Sequence, residues 1–114
     1  MATPSEMPAA APVPPLRLAD YQEGAVVSRI LLKRAGGTIT LFAFDEGQEL
    51  TEHTSPFDAL VMVLEGAMVL TIGGVPVRAT PGAIVRMPAG VPHALEAPAA
   101  CRMLLIMLRD VTAP

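Results

Sequence analysis

Residues 82–93 read GAIVRMPAGVPH, and this stretch decides the fold. A glycine is followed after five residues by Pro88, then by Gly90, then by His93. Residues 83–87 have the branched, apolar make-up of a short strand. Pro88 and Pro92 withhold two backbone donors, so pairing ends there and the PAGVP loop between the strands is stiff. Gly82 and Gly90 fall at sharp turns, which favour a residue free to adopt positive φ. His93 then opens a second short strand over 93–96.

A related pattern lies upstream. Residues 47–66 read GQELTEHTSPFDALVMVLEG: Gly47, five residues, His53, one residue, Ser55, ten residues, Gly66. Within it 58–64 reads as a buried strand, closed by a turn at Glu65 and Gly66. Between the two stretches, 67–72 and 75–79 flank Gly73 and Gly74, a two-residue hairpin signal. Further out, 25–33 and 38–44 are strands separated by Gly36 and Gly37. Residues 45–52 read as an acidic loop, and 102–109 as a last strand. Eight or nine short strands with a turn every eight to twelve residues predict an all-β sandwich or barrel. No segment combines helical periodicity with a cap and sufficient length.

The chain has 114 residues, enough for one domain. Five of its twelve prolines lie in the first fifteen residues. Residues 1–15 are therefore expected to be an extended Pro/Ala-rich tail, and 16–114 the single β-barrel domain. With eight basic residues, no basic run and a net charge of −3, nucleic acid is not an expected partner. The longest apolar runs are six residues, far short of the ~20 a membrane helix needs, so no membrane role is expected either. A single cysteine, Cys101, allows no internal disulfide, and the first residues lack the build of a secretory signal. A cytoplasmic location is expected.

The two stretches closely resemble the paired motifs of the cupin superfamily, and of its small conserved-barrel type. In that family the first motif carries His-x-His and a glutamate, and the second carries a histidine. The glycines, Pro88, His53 and His93 fall in register with that pattern, and the resemblance runs roughly from Gly37 to Leu108. It implies a small antiparallel β-barrel of the jelly-roll, or double-stranded β-helix, type. A metal-bearing cupin offers four ligands. Here the second position is Ser55 and the glutamate position is Ala59, so two of the four remain, His53 and His93. Asp58 is next to the missing carboxylate, but strand alternation sends it to the opposite face.

Two functions stay open. In the first, the barrel pocket binds a small organic molecule and holds a divalent transition metal (Zn, Ni, Fe, Mn or Cu) only weakly on His53 and His93. In the second, the chain is a metal-dependent dioxygenase or isomerase that uses the same two ligands. Alternation predicts that Ser55, Ala59, Val61 and Val63 share the inward face with His53, and that Leu95 projects inward beside His93. Asp45, Glu46, Glu49 and Glu52 are read as a solvated acidic cluster. Met62, Met68, Met87, Met103 and Met107 are expected in the apolar interior. Tyr21, although superfamily epimerases pair a tyrosine with a histidine, is read as structural, and Cys101 as a small buried hydrophobe. Residues 59–64 and 103–108 are apolar on both alternating faces, more than one small barrel interior requires. That excess predicts a homodimer, with the N-terminal residues as a possible clasp.

Overall fold

In the computed structural model, which describes residues 6–111, nine antiparallel strands form two facing sheets. The strands are β1 (Val26–Arg34), β2 (Gly37–Phe44), β3 (Glu49–His53), β4 (Asp58–Glu65), β5 (Met68–Ile72), β6 (Val75–Ala79), β7 (Ile84–Met87), β8 (His93–Glu96) and β9 (Cys101–Leu108). One sheet has the order β1-β2-β9-β4-β7 and the other β3-β8-β5-β6. Neighbours such as β2 and β9, or β3 and β8, are remote in sequence, the mark of a jelly-roll barrel. No helix among the described residues is long and apolar enough to cross a membrane.

Alternation along the strands assigns the two faces. On β4, Ala59, Val61 and Val63 point inward; on β9, Cys101 and Met103 do the same. They meet Phe44, Met68, Leu70, Met87 and Leu95 in one core between the sheets. The Cys101 thiol is fully buried, and that burial pushes its pKa up to about 11. Met62 departs from the expectation: it lies between Val61 and Val63, so its side chain goes to the outer face. The acidic loop is also shorter than predicted, because β3 begins at Glu49. Edge position explains the misreading: β3 has a partner on one side only, and carboxylates on an edge strand guard it against stray pairing.

A second, smaller core lies on the outer face of the five-stranded sheet. Leu41 and Ala43 of β2 and Leu31 of β1 pack there against Leu18 and Ala19. Leu31 follows Val27 and Arg29 onto this face by alternation, and the register slip between Ile30 and Leu32 then sets Leu32 opposite Ile39 on the same side. The first five residues of the Pro/Ala-rich segment fall outside the described part. From there the chain lies on its own sheet: Met7 N–H donates to the Leu31 carbonyl, and Val13 packs beside Leu18 and Ala19. A short 3-10 turn, Pro15–Arg17, leads into the buried pair.

One polar cluster fastens this segment down. Arg102 donates to Glu65 Oε1 (2.6 Å) and to the Ala19 carbonyl (2.9 Å), and its guanidinium lies 4.1 Å from the centre of the Tyr21 ring. The Tyr21 hydroxyl donates to the same Glu65 oxygen at 2.5 Å. The hydrogen bond from Tyr21, then those from Arg102 and its charge, hold the Glu65 carboxyl below the usual glutamate range against the opposing effect of burial. Burial, followed by Glu65, raises the Tyr21 hydroxyl above its ordinary value. A depressed carboxyl stabilises the fold above its unfolded pKa and loses that contribution as pH falls through the folded one. Arg102→Ala should therefore lower stability by about 1–3 kcal/mol at neutral pH, and by progressively less as pH drops below about 4. Urea unfolding at several pH values checks this; a penalty independent of pH would show that Glu65 is not the partner that matters.

Candidate functional site

His53 ends β3 and His93 begins β8, and the two are directly opposed across the ladder. Simple alternation would put Leu50 and His53 on opposite faces, since they are three positions apart. The β3–β8 register slips between Leu50 and His53, and that irregularity turns His53 toward the same side as Leu50. On β8, His93 and Leu95 are both buried and share one face by alternation, so the two imidazoles meet on that side. His93 is buried at 6% exposure, whereas His53 is open to solvent.

The loops that carry the two histidines are tied together. Gly90 N–H donates to the Ser55 carbonyl at 2.9 Å, and Ala89 N–H donates to Asp58 Oδ1 at 3.1 Å. Gly90 adopts φ +77, so the PAGVP loop can present these donors where an L residue would be strained.

The imidazole nitrogens divide into two sets. His53 Nδ1 lies 2.8 Å from the Thr51 carbonyl oxygen, and His93 Nδ1 lies 3.2 Å from that of Val91. A carbonyl only accepts, so each Nδ1 carries its hydrogen and donates. In a neutral imidazole that leaves Nε2 with a lone pair. The two Nε2 atoms face one another at 3.1 Å, with the rings edge to face. Two lone pairs at that distance repel unless something positive lies between or beside them. The pair is thus arranged to share one cation, either a proton or a metal ion.

A metal fits this donor set. Imidazole nitrogens bind Zn²⁺ at about 2.0–2.1 Å, and two nitrogens in neighbouring positions of one shell then lie about 3 Å apart. Second-shell acceptors on both Nδ1–H groups fix the rings, an arrangement typical of ligating histidines. The other positions in the motif bring no donor. Ser55 Oγ accepts the Phe57 N–H at 3.1 Å, which folds it into its own loop. Ala59 is a buried methyl group at 4% exposure. Among the described residues, no group of three or more histidine, cysteine, aspartate or glutamate side chains stands together.

The apolar residues expected around the histidines belong to the packed interior. Val61 and Val63 are fully buried, Leu95 is 3% exposed, and all three sit in the main core. A ligand at the histidines therefore lies at the rim of the barrel. Tyr21 is on the outer face with Glu65 and Arg102. Of the acidic residues, Asp45 accepts the Gly24 N–H at 2.7 Å, while Glu49 and Glu52 line a shallow groove with Glu96 on the second sheet. The sequence reading missed the carbonyls of Thr51 and Val91, because every residue carries a carbonyl and nothing in the letters marks these two.

A profile described as "Cupin domain" matches residues 40–107. A solved structure of a conserved protein of unknown function from Streptococcus pyogenes is 34% identical, covers 98% of each chain and superposes with a TM-score of 0.90. A cupin superfamily protein from Desulfitobacterium hafniense is 28% identical over 92% of this chain and 96% of its own, with a TM-score of 0.86. A cupin 2 conserved barrel domain protein from Leptotrichia buccalis is 35% identical over 81% of this chain and 45% of its own, with a TM-score of 0.78. No curated protein matches the sequence.

Proposed function

The chain belongs to the cupin domain family, and from that premise we propose that it binds a small organic molecule at the barrel rim, together with a weakly held divalent metal on His53 and His93. One observation carries the reading: both Nδ1 atoms are committed to carbonyls, and both Nε2 atoms converge at 3.1 Å. A bound transition metal would supply a Lewis-acidic centre there. The residues orient it: Thr51 and Val91 hold the rings, and the Gly90–Ser55 and Ala89–Asp58 hydrogen bonds hold the loops. The alternative, a metal-dependent dioxygenase or isomerase, needs a third protein donor to fix the ion with defined open positions. Among the described residues the motif brings none, which favours binding over oxygen chemistry.

Zn²⁺ or Ni²⁺ titrated into protein purified without a histidine tag tests the reading. Saturable 1:1 binding that His53→Ala and His93→Ala each abolish is expected. Equal binding by wild type and both variants would remove the site.

We also propose that two copies pair through the outer face of the five-stranded sheet. One row of its ladder runs Leu32, Ile39, Ile106, Leu60, Arg86, and the next runs Arg34, Gly37, Leu108, Asp58. Two hollows on this face share Ile106 and Leu108, so the apolar surface is continuous. Leu32 is 40% exposed and Leu108 is 56% exposed. Arg86 and Asp58, of opposite sign, sit at its edge, which suits a two-fold contact in which each side meets its complement. Residues 13–21 cover the Leu41 end and leave this end open. Light scattering at micromolar concentration should give about twice 11.9 kDa, and Leu108→Glu should give the single mass with an unchanged circular dichroism spectrum. A wild-type mass near 11.9 kDa would refute the pairing.

A further inference from the structure

Asp58 joins the outer face of the five-stranded sheet to the barrel rim. This inference rests on the reading that two copies pair through that face. At the start of β4, Asp58 lies opposite Leu108 in the ladder and lines a hollow of the face together with Arg86, Ile106 and Leu108. The same carboxylate oxygen that lies 3.6 Å from Arg86 accepts the Ala89 N–H at 3.1 Å. Ala89 belongs to the PAGVP loop, which runs directly into His93. Within that loop the Gly90 N–H donates to the Ser55 carbonyl, and the Val91 carbonyl accepts from His93 Nδ1 at 3.2 Å. A continuous set of contacts thus runs from the pairing face, through one carboxylate, to the rim.

The link is weak in a single copy. The Asp58 side chain is 55% exposed, and Ala89 and Gly90 are exposed too, so water competes for both ends of the hydrogen bond. Covering the face removes that water, and a charge-assisted bond strengthens as the local dielectric falls. Arg86 of the same chain keeps the carboxylate charge compensated while it is covered. We propose that pairing regulates the rim: a second copy seated over Asp58 locks the 88–92 loop in place, and with it the orientation of His93. The two states are the loop tied to Asp58 and the loop released from it. The coupling is reciprocal, so whatever fixes the loop at the rim tightens the pairing by the same factor.

Amide hydrogen exchange of the full chain, followed residue by residue by nuclear magnetic resonance, tests this with nothing bound at the rim. The Ala89 amide is read at concentrations where light scattering gives the paired and the single mass. It is read again in Leu32→Glu, which breaks the face on β1, with two strands between it and β4. The Gly47 N–H, which donates to the Ala97 carbonyl at the other end of the β3–β8 ladder, is the reference. Relative to Gly47, Ala89 should exchange at least about fivefold more slowly in the paired form, the lower bound of ordinary coupling between sites. In Asp58→Ala, read at a concentration where it too has the paired mass, that slowing should vanish. A paired mass with an unchanged Ala89 rate would overturn the coupling and leave the pairing intact. Slowing that survives Asp58→Ala would overturn it as well, because the route is then another one. A single mass at every concentration, or a paired mass that Leu32→Glu leaves unchanged, would overturn the pairing reading and the inference together.

Discussion

Gly66→Ala is expected to destabilise the protein by about 2–4 kcal/mol, which is the largest single-residue effect the backbone predicts. Gly66 closes the first motif stretch and turns the chain from β4 toward β5 at φ +80, a conformation that strains any L residue. A Cβ there would also run into the Ala100 carbonyl, with the Cα of Cys101 at 3.0 Å. These are backbone atoms where the chain enters β9, a strand paired with both β2 and β4, so they cannot move aside as a flexible side chain would. Gly47 provides the control. Its φ is +82, but a Cβ there meets nothing within 4 Å. Gly47→Ala should therefore cost about 1 kcal/mol, from conformational strain alone. For a domain of this size the difference amounts to several degrees in Tm. Thermal or urea unfolding of the two variants side by side checks it, and equal losses would mean that the β4–β9 approach is looser than the structure has it.

The second large effect is a gain. Ser55→His combined with Ala59→Glu should raise Zn²⁺ or Ni²⁺ affinity by about two orders of magnitude or more, since it adds an imidazole and a charged carboxylate to a site with two ligands. Without metal the variant should be less stable than wild type. Ala59 is 4% exposed and lies opposite Met87 and Met107 in the ladder, so a glutamate there buries a polar group among apolar ones. The two effects have opposite signs, and unfolding with and without metal separates them. Unchanged affinity would mean that positions 55 and 59 do not converge on the histidines.

The barrel was legible in the sequence because its turns are written in glycine and proline at fixed distances. Gly82, Pro88 and Gly90 locate one loop, and Gly47 and Gly66 bracket the other half. Ala59, Val61, Val63 and Leu95 lie in the packed core. Alternation held the information that Met62, between two inward valines, must face out. Three features lay beyond the sequence. The register slip before His53 depends on how β3 fits β8, a pairing between strands some forty residues apart. The choice of Thr51 and Val91 carbonyls as acceptors depends on ring orientation. The fastening of Tyr21 by Glu65 and Arg102 joins segments up to 81 residues apart, and no local pattern announces it.

The central claim is that His53 and His93 act as one two-nitrogen site through their Nε2 atoms. Pulsed electron paramagnetic resonance of the protein with substoichiometric Cu²⁺ tests it most directly, because the remote nitrogen of each coordinated imidazole modulates the echo. Wild type should show two equivalent imidazoles on the copper, and His53→Ala and His93→Ala should each show no more than one. One imidazole in the wild type, or a spectrum that neither substitution changes, would contradict the account.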